Sequence, residues 1–326
     1  MNLGVNLPKI LITSKSYGVH CPDALRTIES FAQVDRKTVS SREEMVSAVK
    51  NYDGIVLGNE KLDREAIFAA ERLKIIARHG VGVDNIDVEA ATEKGIVVTY
   101  TPLANSDSVA EYAVMLILTS LRQFQRVTQE MSKGNWNRFL GHELMNKVIG
   151  IVGFGAIGRR VANKLSCFNV RLIAYDPYVK EEEIRKAGVE PVSLETLLSS
   201  SDIVTLHLSL TNETKNLIND GRLKLMKKGA FLVNTSRGGI IDEPALVNAL
   251  RSGIISGAAL DVFEQEPLSR DSPLYKLDNV ILSPHMANFT IEALSRMDMM
   301  NAKDLELFFK GHRPINVVNS RVFTLK

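Results

Sequence analysis

VIGIVGFGAIGRRVANKLSCF, residues 148–168, decides how the chain folds. Val148 to Val152 is a short β-branched run, long enough for a buried strand and too short for a helix. Gly153, Gly155 and Gly158 then stand in a G-x-G-x-x-G pattern, and RRVANKLSCF continues with helical character. A glycine-rich hexapeptide alone is weak, because glycine turns are common. Between a strand and a helix it describes a phosphate cradle. The first glycine permits the tight turn, the second lets the backbone approach a pyrophosphate, and the third lets helix and strand pack closely. The amides of Ala156 and Ile157 then point at the phosphates from a helix N-terminus.

The next strand ends at Asp176, 23 residues beyond Gly153. A carboxylate there accepts the adenosine ribose hydroxyls and repels a 2′-phosphate, which selects NAD over NADP. An aspartate before Pro177 also suits an ordinary turn. Arg159 and Arg160 follow on the helix, where solvent or neighbouring acids would occupy them.

Outward from this unit, six strand-like runs succeed one another: VIGIVGFG, VRLIAYD, DIVTLHL, AFLVNTS, SGAALDVF and NVILSPH. Before them KILIT, GIVLG, KIIARHG and IVVTY alternate with helix-like segments such as REEMVSAVKN and DREAIFAAERL. Strands alternating with helices predict parallel sheets covered by helices. The fold class read from this is α/β, with two doubly wound parallel-sheet domains. A Rossmann dinucleotide-binding domain, 103–288, is inserted into a flavodoxin-like substrate domain, 1–102 plus 289–326. A capping box at Ser108 to Glu111 is expected to start a long apolar helix running through Leu121, with Gly134 and Trp136 near its end. A last helix is expected from about Thr290 to Lys310.

Composition bounds the partners. With 326 residues, 45% hydrophobic and 24% charged, the chain is an ordinary globular protein of two-domain size. A formal net charge of +2 with scattered basic residues gives no case for nucleic acid or a charged membrane surface. The two cysteines, Cys21 and Cys167, lack metal-type spacing, so neither a disulfide framework nor a metal site is expected. The longest apolar run, around Val114 to Leu118, falls far short of the ~20 residues that span a bilayer. No secretory signal is visible, and a cytoplasmic setting is expected.

Three late strands end in groups suited to one reaction. AFLVNTS leads to Arg237, AALDVFEQEP to Glu266, and NVILSPH to His285. Each has an ordinary reading as a surface arginine, a solvated glutamate or a core histidine. Together, on one edge beside a dinucleotide cradle, they match the needs of hydride transfer to or from a carbon bearing oxygen. That reaction also moves a proton on that oxygen, for which the ordinary histidine pKa of ~6.5 is suited. A carboxylate on the far ring nitrogen fixes the tautomer and stabilises the imidazolium. Arginine, charged at any working pH, grips a substrate carboxylate with its planar fork. Gly238 and Gly239 leave room where backbone passes close to ligand.

The motifs GFGAIG, NTSRGGIIDE, ALDVFEQEP and SPH resemble the D-isomer-specific 2-hydroxyacid dehydrogenase family, particularly its phosphoglycerate dehydrogenase-like members. The likeness runs from roughly Lys74 to Asn288. It implies His285 and Glu266 as the catalytic pair and Arg237 as the substrate-carboxylate ligand. It also implies that Asp261 contacts the nicotinamide carboxamide and that backbone at Val81 and Gly82, in RHGVGVDNID, cradles the substrate carboxylate. His207, Thr235 and Ala287 are counted among the cofactor-binding residues. The resemblance implies a homodimer formed through the segment containing the long helix and Trp136.

Departures from the family pattern bear on substrate. His207-Leu208-Ser209 stands where members often have proline after the histidine, and Met286-Ala287-Asn288 stands where many have glycine. Gly58 and Asn59 occupy the region where phosphoglycerate dehydrogenases tend to carry an arginine. No C-terminal regulatory domain like that of longer members is expected. A 3-phosphoglycerate-like or a glyoxylate- or hydroxypyruvate-like acid is therefore expected as substrate. Formate dehydrogenases use glutamine beside the histidine, so Glu266 argues against that reaction. A different kind of alternative is an NAD(H)-sensing binding protein of the corepressor type sharing the fold.

Overall fold

The computed structural model describes residues 7–324, so the ends of the first domain, 1–6 and 325–326, lie outside the described residues. The chain divides into two compact units, Met1–Asn105 with Phe289–Lys326, and Ser106–Asn288. The first crossing thus falls at Asn105/Ser106, where the sequence reading places it after residue 102.

The discontinuous unit is built on β1 (Lys9–Ile12), β2 (Gln33–Arg36), β3 (Gly54–Leu57), β4 (Ile75–Arg78) and β5 (Val97–Thr99). They form one sheet in the order β2-β1-β3-β4-β5, every pairing parallel. Alternate strand residues go to opposite faces, so Leu11 and Ile55 join one apolar cluster while Ile10 and Val56 join the other. Helix Ile291–Phe309, capped by Thr290 Oγ1, returns to cover one face with Ala302 and Leu305. In this unit the strand missed by the sequence reading is β2, whose QVDR residues are largely exposed and carry no hydrophobic signature.

The continuous unit contains β6 (Val148–Val152), β7 (Arg171–Tyr175), β8 (Glu190–Pro191), β9 (Ile203–Leu206), β10 (Phe231–Asn234), β11 (Gly257–Leu260) and β12 (Val280–Leu282). Their order is β12-β11-β10-β9-β6-β7-β8, again all parallel. The order reverses between β6 and β9. At such a switch point the loops beyond the strand ends diverge and leave a crevice for ligand. Leu172 and Ala174 pack on one face of this sheet and Ile173 on the other.

Two sequence expectations are corrected here. The long helix spans Ser106–Leu121, so Ser108 lies inside its first turn and is not the capping residue. It also stops well before Trp136: Gln123 takes a left-handed φ of 49°, and a second helix, Phe124–Ser132, follows. No glycine or proline marks that break. Among the described residues no helix is long and apolar enough to cross a membrane, and no cluster of three His, Cys, Asp or Glu is placed to hold a metal ion.

Candidate active site

The cradle is assembled as its glycines require. Gly153 has φ 93°, and a Cβ there would meet the His207 carbonyl oxygen at 2.5 Å. A Cβ on Gly158 would lie 2.1 Å from the Gly153 carbonyl oxygen, so helix Ala156–Leu165 can approach β6 only with glycine there. Gly155 faces open space. It is the helix N-cap and offers no side-chain acceptor, which leaves the first-turn amides of Ala156, Ile157 and Gly158 free to take an anion. Asp176, just beyond β7, accepts from the Phe154 amide at 2.7 Å through Oδ2 and from the Tyr178 amide at 2.9 Å through Oδ1. The side chain is thereby held at the mouth of the cradle.

Two further polar atoms at the same sheet edge are buried without a hydrogen-bond partner among the described residues: Thr235 Oγ1 beyond β10 and His207 Nδ1 beyond β9. His207 donates or accepts at Nε2 with Thr205 Oγ1, 2.9 Å away. Its burial pushes the ring pKa down to about 3, so the imidazole is neutral. An open cradle and orphaned polar atoms on one edge suit a bound dinucleotide.

The same edge carries Arg237, Glu266 and His285. Asn234, the last residue of β10, shapes the arginine turn. Its Oδ1 accepts from the Ser236 amide at 3.0 Å and hydroxyl at 2.7 Å, and its Nδ2 donates to the Arg237 carbonyl at 2.9 Å. Gly238 packs directly on the next loop, since a Cβ there would lie 1.8 Å from the Phe263 carbonyl carbon. The Arg237 turn and the Glu266 loop therefore fit together only through glycine. That loop is closed by Glu266 Oε1, which accepts from the Phe263 amide at 3.0 Å, and by Glu243, which accepts from the Glu264 amide.

Glu266 Oε2 lies 2.6 Å from His285 Nδ1, with the two side chains 33% and 29% exposed. Burial works to raise the Glu266 pKa, but the His285 hydrogen bond and charge, the Phe263 amide and the Arg237 charge together bring it below the ordinary carboxylate value. Gly238, next to Arg237, packs on Phe263 in the loop that carries Glu266, which brings the arginine turn beside the Glu266–His285 pair. His285 Nε2 makes no hydrogen bond within the described residues and is the nitrogen left for a substrate.

Asp261, at the end of β11, holds His285 in place. It is fully buried, and burial raises its pKa against the donors around it. Its Oδ1 accepts from Ser283 Oγ at 2.6 Å and the Met286 amide at 2.9 Å, and its Oδ2 from the Ala287 amide at 2.8 Å. The Asp261 carbonyl accepts from the His285 amide at 2.7 Å. These contacts fix His285 at φ 50°, a left-handed conformation that costs a non-glycine residue of order 1–3 kcal/mol and persists only where its surroundings enforce it. Sequence reading assigns Asp261 to the cofactor and misses this anchoring, as it misses Asn234, Glu243 and Ser283. The N-x-S-R and D-x-x-E spacings around these turns were the available signal.

Val81 and Gly82 belong to the other unit and follow β4. Their amides donate to no group among the described residues, whereas the carbonyls of Gly80 and Gly82 accept from the Thr101 amide and Arg78 Nε.

Residues 114–287 match the family described as D-isomer specific 2-hydroxyacid dehydrogenase, NAD binding domain. The chain belongs to that family. Among its relatives, the glyoxylate reductase of Thermococcus litoralis is 40% identical over 331 residues, covering 97% of this chain and 98% of its own. The D-3-phosphoglycerate dehydrogenase of Archaeoglobus fulgidus is 44% identical over 290 residues, covering 88% of this chain and 55% of its own. The chain thus spans little more than half the length of the phosphoglycerate dehydrogenases it matches. The solved structure of D-lactate dehydrogenase from Aquifex aeolicus, complexed with NAD and lactic acid, is similar with TM-score 0.85 at 32% identity, covering 95% of this chain and 98% of that one.

Proposed function

We propose that this chain is an NAD-dependent dehydrogenase that interconverts small 2-oxo and 2-hydroxy acids. One observation carries the reading: His285 is bound to Glu266 through Nδ1 at 2.6 Å and keeps Nε2 open on the edge that bears the dinucleotide cradle. When bound, the nicotinamide supplies or accepts the hydride. The side chains do the rest. Arg237 holds the substrate carboxylate and orients the reacting carbon. His285 Nε2 gives its proton to the carbonyl oxygen in reduction and takes it back in oxidation. Glu266, ionised below the usual carboxylate range, keeps the Nδ1 proton in place and stabilises the imidazolium. Asp176 selects NAD, and the amides of Val81 and Gly82 are assigned to the substrate carboxylate.

For the substrate, we favour an unphosphorylated acid of the glyoxylate or hydroxypyruvate type. Glu60 puts a carboxylate at the carboxyl end of β3, where its Oε2 accepts from Thr13 Oγ1 at 2.9 Å. A phosphate meeting that rim would face like charge, and the relatives matched over nearly their whole length include several glyoxylate reductases. We assign a cytoplasmic setting, in keeping with two free cysteines. We also assign a homodimer, formed through the segment in which Phe124, Met131, Trp136 and Leu140 are exposed.

A panel of glyoxylate, hydroxypyruvate and 3-phosphohydroxypyruvate, each with NADH and NADPH, tests the proposal. NADH oxidation with the first two is the expected result. Preference for the phosphorylated acid would overturn the substrate reading, and silence on every acid would favour the NAD(H)-sensing alternative.

A further inference from the structure

Arg78 ends β4 in an unusual posture for an arginine at the edge of a sheet. Its side chain is 6% exposed and turns back beneath the loop that follows it. Nε donates to the Gly82 carbonyl at 2.9 Å, Nη1 to the His79 carbonyl at 2.6 Å, and Nη2 to Asn59 Oδ1 at 2.9 Å. Its own carbonyl is held by Asn301 Nδ2 at 3.1 Å. The loop is wrapped around the guanidinium so closely that a Cβ on Gly80, where φ is 155°, would lie 2.9 Å from Cζ.

The consequence follows from peptide planarity. In a trans peptide the C=O and the next N–H point in opposite directions. The Gly80 carbonyl is turned to the Thr101 amide at 3.0 Å, so the Val81 N–H points the other way. The Gly82 carbonyl is turned to Arg78 Nε, so the Val83 N–H also points away from the guanidinium. The amides of Val81 and Val83 are thus turned away from the groups that hold the carbonyls before them, and outward-turned backbone amides in a tight loop can form an anion-binding concavity. The guanidinium adds a positive charge behind it.

We propose that Arg78 is a positioning residue of the substrate-carboxylate cradle: by pinning the carbonyls of His79 and Gly82 with one planar fork it fixes the turn of residues 79–83, so that the Val83 amide, with the Val81 amide that the Thr101 contact turns, is presented to an incoming carboxylate. This rests on the reading above that backbone at Val81 and Gly82 receives the 2-oxo acid. Lysine cannot replace it, because a single ammonium cannot span two carbonyls and the Asn59 amide group in a fixed plane.

The test compares wild type with Arg78→Lys and Asn59→Ala. The second variant removes one anchor of the fork from an exposed position, where folding is not at risk. Losing hydrogen bonds to a charged group predicts a rise in the glyoxylate KM of about ten- to hundredfold for Arg78→Lys and of roughly threefold for Asn59→Ala. kcat should stay within a few-fold, and the NADH dissociation constant, read on the other unit, should not move. An unchanged glyoxylate KM in folded Arg78→Lys overturns the proposal. If that variant does not fold, an unchanged KM in Asn59→Ala overturns it instead. Oxalate binding by calorimetry separates the two readings. A wild type that reduces no 2-oxo acid refutes the enzymatic function, while loss of oxalate affinity in Arg78→Lys would still identify the cradle.

Discussion

Three histidines leave carboxyl ends of parallel strands, and their fates differ. His79 follows β4, makes a 2.8 Å hydrogen bond from Nδ1 to Ser14 Oγ, and brings Nε2 to 2.9 Å from Asp298 Oδ1, with side-chain exposures of 3% for the histidine and 0% for the aspartate. The Nε2–Oδ1 approach is off the line of a hydrogen bond, so it is better described as a close electrostatic contact than as a directed bond. Asp298 also accepts from the Gly18 amide at 2.8 Å, and its carbonyl accepts from the Tyr17 hydroxyl at 3.0 Å. This pair packs the returning helix against the loops after β1 and β4, and its ring is too deeply buried to offer a nitrogen to a ligand. His285 has the same kind of partner in Glu266, yet it is partly exposed and keeps Nε2 open. His207 has no carboxylate at all; it is half-buried, with Nδ1 shielded from solvent, and that desolvation keeps the ring neutral. A histidine–carboxylate pair does proton chemistry only where one ring nitrogen still meets ligand.

The sharpest way to break this comparison is at His285. His285→Ala should lower kcat for glyoxylate reduction by ~10²–10⁴-fold with the NADH dissociation constant unchanged. Steady-state rates and a fluorescence titration read both, and a wild-type kcat would remove His285 from the mechanism.

The buried pair should fail differently. Asp298→Ala strips the partners of His79 and of the Gly18 amide, and should cost roughly 3 kcal/mol of unfolding free energy, read as a fall in the urea midpoint. Turnover per folded molecule should change far less than in His285→Ala. A stable Asp298→Ala protein with turnover as low as that of His285→Ala would mean that the two pairs had been assigned the wrong way round.

His207 gives the smallest effect, and it depends on pH. The folded state keeps the ring neutral down to about 3, while the unfolded chain takes up a proton below the ordinary value of 6.5. The unfolded state therefore binds the extra proton in that window, and acid favours unfolding by about 1.4 kcal/mol per pH unit for this one group. Above pH 6.5 the contribution is flat. Denaturation of wild type and His207→Asn between pH 4 and 7 should show the shallower slope in the variant. Equal slopes would mean that the ring is not held neutral by burial.

The alternation of strands and helices was legible because the central parallel strands are buried on both faces and read as short apolar runs. Gly153, Gly155 and Gly158 were legible because close approach of backbone to backbone, or to ligand, excludes side chains within a few consecutive residues. β2 and β8 were not: QVDR is largely exposed, and Glu190–Pro191 is two residues long. The break at Gln123 was hidden because a left-handed residue other than glycine leaves little trace in composition.

By itself the sequence determined the two parallel sheets, the cradle at residues 153–158 and the residue types Arg237, Glu266 and His285, all of which rest on neighbours close along the chain or on strand periodicity. Only the tertiary structure decided which histidine keeps an open nitrogen, that Asp261 holds His285 at its left-handed turn, and that Arg78 lies under its own loop. Those facts depend on partners such as Asp298, Ser283 and Asn59, brought together by folding. Burial and hydrogen-bond supply at a point in space cannot be read from the order of residues alone.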